Sequence, residues 1–127
     1  MYRLAFGLQP KKVLLPAPAF VEYEEALSAA GAQIEYYRMT EDFIIKEDIL
    51  EQITEDTDFV VICNPNNPTG EVRNKEDLKA LVDSHPDKLF IFDQSYEYFT
   101  LKSLLGIKEA ASFPNVILLH SMTKQYA

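Results

Sequence analysis

Three polar clusters each follow a short apolar run. Asn64-Pro65-Asn66-Asn67-Pro68-Thr69-Gly70 follows Phe59–Cys63, Asp93-Gln94-Ser95-Tyr96 follows Leu89–Phe92, and Ser121-Met122-Thr123-Lys124 follows Val116–Leu119 and His120. From Asn67 to Asp93 is 26 positions (93 − 67), and from Asp93 to Lys124 is 31 (124 − 93). Each interval is about one βαβ unit of ~30 residues. In an open parallel sheet the carboxyl ends of the strands share one edge, and that edge is where ligands bind. The spacing therefore predicts that an amide, a carboxylate, a phenol and a primary amine converge there. That set is more than core packing needs. A lysine amine so placed can act as a nucleophile and proton carrier near neutral pH once its ordinary pKa of ~10.4 is lowered or bypassed.

Taken one at a time, each residue also has a plainer reading. An aspartate after a strand commonly caps a helix or closes a turn. A lysine near a chain end is usually solvated. The Asn-Pro-Asn-Asn-Pro-Thr-Gly run could be a rigid turn and nothing else, and Tyr96 could simply carry its hydroxyl out to water.

The elements that must position these clusters alternate along the chain. Met1 to Leu8 reads as the end of a helix, with Leu4 and Leu8 on one face and Gln9-Pro10 as its stop. Lys12 to Leu15 predicts a strand closed by Pro16-Ala17-Pro18. A helix follows with Tyr23, Ala26, Leu27 and Ala30 on one face, ended by Gly31. Gln33 to Met39 predicts a second strand at a sheet edge. Ile45, Ile49, Leu50 and Ile53 mark another helix, and Asp58 to Cys63 a central strand. Asn74 is placed to cap a helix whose buried stripe is Leu78, Leu81 and Val82. Leu89 to Phe92 is a fourth strand, Leu104 to Ala111 a short helix, and Val116 to Leu119 a buried fifth strand. Strands alternating with helices at this pitch mean right-handed βαβ units: an α/β fold with three layers, α/β/α, around a parallel five-stranded sheet.

Bulk composition narrows the partners. The 127 residues suffice for one domain, with 47% hydrophobic and 25% charged residues. A net charge of −8 argues against binding nucleic acid or an anionic membrane through bulk electrostatics. No stretch approaches the ~20 apolar residues of a membrane span, and no signal-peptide pattern opens the chain. Cys63 is the single cysteine, which fits a reducing, cytoplasmic location and leaves no cysteine metal cluster. At the end of an apolar strand it reads as inert, and His85 and His120 read as structural.

The ordered set Asn-Pro-Asn-Asn-Pro-Thr-Gly, then Asp-x-x-Tyr, then Ser-x-Thr-Lys resembles the class I and II aminotransferases of fold type I, which use pyridoxal 5′-phosphate (PLP). Within them it is most similar to histidinol-phosphate aminotransferases and threonine-phosphate decarboxylases. Phe20-Val21-Glu22-Tyr23 and the closing Leu-His-Ser-Met-Thr-Lys-Gln-Tyr-Ala resemble the decarboxylase-like members. The resemblance runs from about Lys12 to Ala127. It implies that Lys124 is the Schiff-base lysine and that Asp93 faces the pyridine nitrogen. It further implies that Tyr96 and Asn67 hydrogen-bond the ring's phenolic oxygen, that Ser121 binds the cofactor phosphate and that Phe20 stacks on the ring. Order and spacing together favour these roles over the plainer readings for Lys124, Asp93, Asn67 and Tyr96. The implied substrates are a small-molecule amino acid and a 2-oxo acid, in a parent that is a homodimer. The implied strand order is 2-1-3-4-5, as in flavodoxin-like sheets.

The same resemblance marks departures. A complete relative is roughly three times this length, so residues 1–127 are expected to be a partial PLP-binding large domain cut from a larger one. The N-terminal arm with the first sheet strand, the phosphate loop, the arginine that follows Ala127 in the family and the small C-terminal domain are expected to be missing from it, and Tyr2 to Leu8 resembles the remnant of the helix behind the phosphate loop. Ala19 stands where many relatives have threonine. Three functions remain open at this point: an aminotransferase core, a PLP-dependent decarboxylase of an amino-acid phosphate, and a non-catalytic flavodoxin-like fragment.

Overall fold

The computed structural model describes residues 1–38 and 49–126. Met39, Ile45 and Ala127, which enter the sequence expectations, lie outside the described residues. The elements run α1 (Tyr2–Leu8), β1 (Lys12–Ala17), α2 (Glu22–Ala29), β2 (Gln33–Arg38), α3 (Ile49–Gln52), β3 (Phe59–Cys63), α4 (Lys75–Ser84), β4 (Leu89–Asp93), α5 (Ile107–Ala110), β5 (Val116–Leu119) and α6 (Thr123–Tyr126). A 3-10 turn at Glu97–Phe99 follows β4. All strand pairs are parallel, in the order β2-β1-β3-β4-β5. The order reverses between β1 and β3, and that switch point opens a crevice at the carboxyl edge.

The two-residue period of the strands divides the core between the sheet faces. Leu14, Val60, Ile62, Phe90 and Phe92 point one way and pack with Ile49, Leu78, Leu81, Val82 and Leu105. Val13, Leu15, Val61, Cys63 and Ile91 point the other way, against Ala5, Tyr23 and Leu27 of α1 and α2. Burial is complete along β3, as its unbroken apolar run predicts for a central strand. The α4 start follows from local chemistry. Asn74 lies in extended backbone, and its Oδ1 accepts the Glu76 N–H at 2.9 Å.

The amino edge of the sheet is closed by charge. Lys12 Nζ contacts Glu35 Oε1 and Asp56 Oδ1, both at 2.9 Å, and donates to Thr54 Oγ1 at 3.0 Å. Asp58 Oδ2 accepts the Lys11 and Lys12 amides. These ties fix the end of the sheet away from the three polar clusters.

Two boundaries and the burial of one strand differ from the sequence expectation. First, β1 does not stop at Pro16. It continues to Ala17 beside β2, while its register with β3 covers only Val13 and Leu14. A proline removes one donor, and the strand continues where that donor is not required. Second, β5 is half-buried along its length, because among the described strands it pairs only with β4 and forms an edge. Third, α5 is confined to Ile107–Ala110 and starts at Gly106, whose N–H donates to Glu109 Oε2 at 2.9 Å.

Candidate functional site

Asp93 is the last residue of β4, in register with Cys63 on β3. Strand parity points both toward the α1–α2 face. Asp93 is 8% exposed. Its Oδ1 accepts the Ser95 N–H at 2.8 Å and the Ser95 hydroxyl, an Asx-type turn that the tight exit from β4 provides. Its Oδ2 accepts the Tyr23 hydroxyl at 2.6 Å across 70 residues of sequence. The carboxylate is thus gripped from its own turn and from α2. Tyr23 is 4% exposed. Burial, helped by the neighbouring Cys63 and Asp93, holds its phenol far above the ordinary tyrosine range, so it remains a donor.

A second cluster lies at the same sheet edge. The Asn67 Nδ2 donates to the Tyr96 hydroxyl at 3.1 Å. Lys124 lies in the first turn of α6 and is exposed, with its Nζ over the Tyr96 ring, 5.7 Å from the centroid. The Asn67 loop is built rigidly. Asn64 Oδ1 accepts the Arg73 N–H at 2.8 Å, and Asn64 Nδ2 donates to the Arg73 carbonyl at 3.2 Å. Asn66 Nδ2 donates to Thr69 Oγ1 at 3.0 Å and reaches the Pro18 carbonyl at 3.4 Å, joining the loops after β1 and β3 across the switch point. Gly70 turns with φ 74°, a conformation that favours glycine, and its N–H donates to the Asn66 carbonyl at 2.7 Å.

Phe20 follows β1 at the same sheet edge, 36% exposed, its ring nearly perpendicular to that of Tyr23 with centroids 6.1 Å apart. Ser121 is placed differently. Its hydroxyl pairs with that of Thr123 at 2.8 Å, and it lines an open cavity of about 670 Å³ with Gln94, Glu97, Tyr98 and His120. The structure thus links Asp93 to Phe20 through Tyr23, and Asn67 to Lys124 through Tyr96. His120 Nδ1 meets Glu97 Oε1 at 3.0 Å. His85 Nδ1 lies 2.9 Å from Ser84 Oγ and 3.2 Å from the Leu81 carbonyl at the end of α4. Among the described residues, no group of three or more His, Cys, Asp or Glu could hold a metal ion. No described helix is long and apolar enough to cross a membrane.

The sequence pattern of the aminotransferase class I and II family matches residues 3–127. The chain belongs to that family. It is 30% identical to the histidinol-phosphate aminotransferase of Methanocaldococcus jannaschii, over 91% of this chain and 31% of that protein. It is also 30% identical to the threonine-phosphate decarboxylase of Salmonella typhimurium, over all of this chain and 36% of that protein. The histidinol-phosphate aminotransferase structure from Clostridium acetobutylicum superposes with a TM-score of 0.86 at 29% identity, covering 99% of this chain and 38% of that one. The chain therefore spans about a third of the length of the curated relatives it matches.

In this class I and II aminotransferase chain, sequence reasoning passed over Tyr23 and Ser95. Tyr23 looked like one more core position of α2. Its signal was the Phe20-x-x-Tyr23 spacing, which brings the two aromatics together one helical turn apart. Ser95 had a plainer signal, the Asp-x-Ser sequence of a side-chain-closed turn.

Proposed function

We propose that this chain is the cofactor-binding core of a pyridoxal-phosphate-dependent aminotransferase, which moves an amino group between a small amino acid and a 2-oxo acid. The observation that carries the reading is the meeting at one sheet edge of the gripped Asp93 carboxylate and the Asn67–Tyr96–Lys124 cluster. The donor set fits the cofactor. A carboxylate suits a protonated ring nitrogen, an amide–phenol pair suits an anionic ring oxygen, and a lysine supplies the primary amine a carbonyl requires. PLP, when bound, supplies an electron sink for a substrate carbanion.

In this reading each residue has a defined task. Asp93 holds a proton on the ring nitrogen. Tyr96 and Asn67 orient the ring oxygen, and Phe20 covers a ring face and excludes water. Lys124 would supply the primary amine that holds the cofactor's carbonyl carbon, with the carbonyl oxygen leaving as water, and would move protons at the substrate's Cα. Ser121 contributes its hydroxyl to the cofactor phosphate. The parent is a homodimer in a reducing cytoplasm. A second reading, decarboxylation of an amino-acid phosphate by a lyase, draws support from the threonine-phosphate decarboxylase similarity over the full chain.

The test is an absorbance titration of the chain with PLP, with and without borohydride, beside Lys124→Ala. Reduction that fixes the cofactor to Lys124 alone, with the absorbance change lost in the variant, supports the reading. Labelling spread over surface lysines and indifferent to Lys124→Ala leaves a folded scaffold without a cofactor site.

A further inference from the structure

The hydroxyl of Tyr23 has no packing task that a phenylalanine ring would not perform. Its ring fills a site in the α1–α2 core and supports the edge of Phe20. Its oxygen does something separate, donating to Asp93 Oδ2 at 2.6 Å. A carboxylate offers about four acceptor positions. The Ser95 amide and hydroxyl occupy two on Oδ1, and the Tyr23 hydroxyl occupies one on Oδ2. The position left on Oδ2 has its direction set by the Tyr23 bond, because Oδ1 is already tied to the chain's own turn. Tyr23 comes from α2, and Ser95 from the turn after β4, so the carboxyl plane is clamped by two elements that share no local sequence.

We infer that Tyr23 is a positioning residue, which aims the remaining acceptor site of Asp93 at a cationic ring N–H while its own ring braces Phe20 against the ring's face. This rests on the PLP reading above and deepens it. A single side chain would then act on two residues that would hold the cofactor ring, on Asp93 through its hydroxyl and on Phe20 through its own ring. The burial of Tyr23 supports the assignment, since an aqueous phenol could turn away to water and leave Asp93 to swing.

The experiment compares the full chain with Tyr23→Phe, Asp93→Asn and the double variant. PLP affinity and the pH profile of the bound cofactor's absorbance are read beside urea unfolding without PLP. Tyr23→Phe is expected to weaken PLP about tenfold, as loss of a hydrogen bond to a charged group does, and to displace the pH profile. In the Asp93→Asn background the same change is expected to alter neither quantity, because the group it positions is gone. A Tyr23→Phe chain that binds and titrates like wild type overturns the inference. So does an equal loss of affinity in both backgrounds, and so does a Tyr23→Phe chain that fails to fold, since the hydroxyl would then serve the fold. A wild-type chain that takes up no PLP at Lys124 sinks the cofactor reading and this one with it. An unaffected Tyr23→Phe in a chain that does bind sinks this one alone.

Discussion

The side-chain amide of Asn67 donates to the Tyr96 hydroxyl at 3.1 Å, although 29 residues separate them. The loop after β3 and the turn after β4 are brought together because the strands run parallel in register, Phe59 beside Leu89 through Cys63 beside Asp93. The amide is the donor, so the phenol's own proton is free to be given elsewhere.

If that free proton serves a bound ring oxygen, the two residues act as one unit. Asn67→Ala and Tyr96→Phe are each expected to weaken PLP capture, by about 1 kcal/mol for a neutral hydrogen bond. The double variant should lose less than the sum. Calorimetric or absorbance titration of the four proteins checks this, and strict additivity would show the pair acting separately.

Cys63 is expected to be unreactive in the folded chain. Burial pushes its thiol up, and the neighbouring Asp93 carboxylate adds to this. Its Sγ also donates to the Pro65 carbonyl at 3.2 Å. The thiolate is the reacting species. A disulfide reagent at mildly alkaline pH should therefore label the native chain far more slowly than the urea-unfolded chain. Equal rates would place Cys63 outside the core.

Glu109 joins α5 to α4, accepting from Lys79 Nζ at 2.7 Å and Lys75 Nζ at 3.1 Å. The Lys79 bond first, then the Gly106 amide and Lys75, lower its carboxyl from an ordinary 4.5 to about 2. A depressed carboxyl stabilises the fold above its unfolded value, and that contribution is lost as pH falls through the folded one. Stability should therefore decline between pH 4.5 and about 2, modestly, because the group is solvent-screened. Glu109→Gln should flatten that part of the curve in urea unfolding measured against pH, and an unchanged slope would remove Glu109 from the acid response.

Much of the framework was legible before any coordinates. Apolar runs separated by helical stripes located β1, β3, β4 and β5, and a mixed polar and apolar pattern marked β2 as an edge strand. Asn74 announced the start of α4, because an N-cap is a contact between near neighbours in sequence. The family resemblance supplied the order β2-β1-β3-β4-β5, and the sheet has it.

The sequence alone also determined which chemical groups arrive at the carboxyl edge, because βαβ spacing fixes the edge on which each loop emerges. Only the tertiary structure decided how they are held there. The Tyr23–Asp93 bond joins residues 70 positions apart, and it exists because strand parity turns Asp93 toward the face that α2 covers. No local pattern encodes that choice. Likewise the half-burial of β5 depends on what lies beside it and not on Val-Ile-Leu-Leu, which would read the same at the centre of a sheet. Composition and period report what a segment can bury; which neighbour buries it is a property of the packed fold.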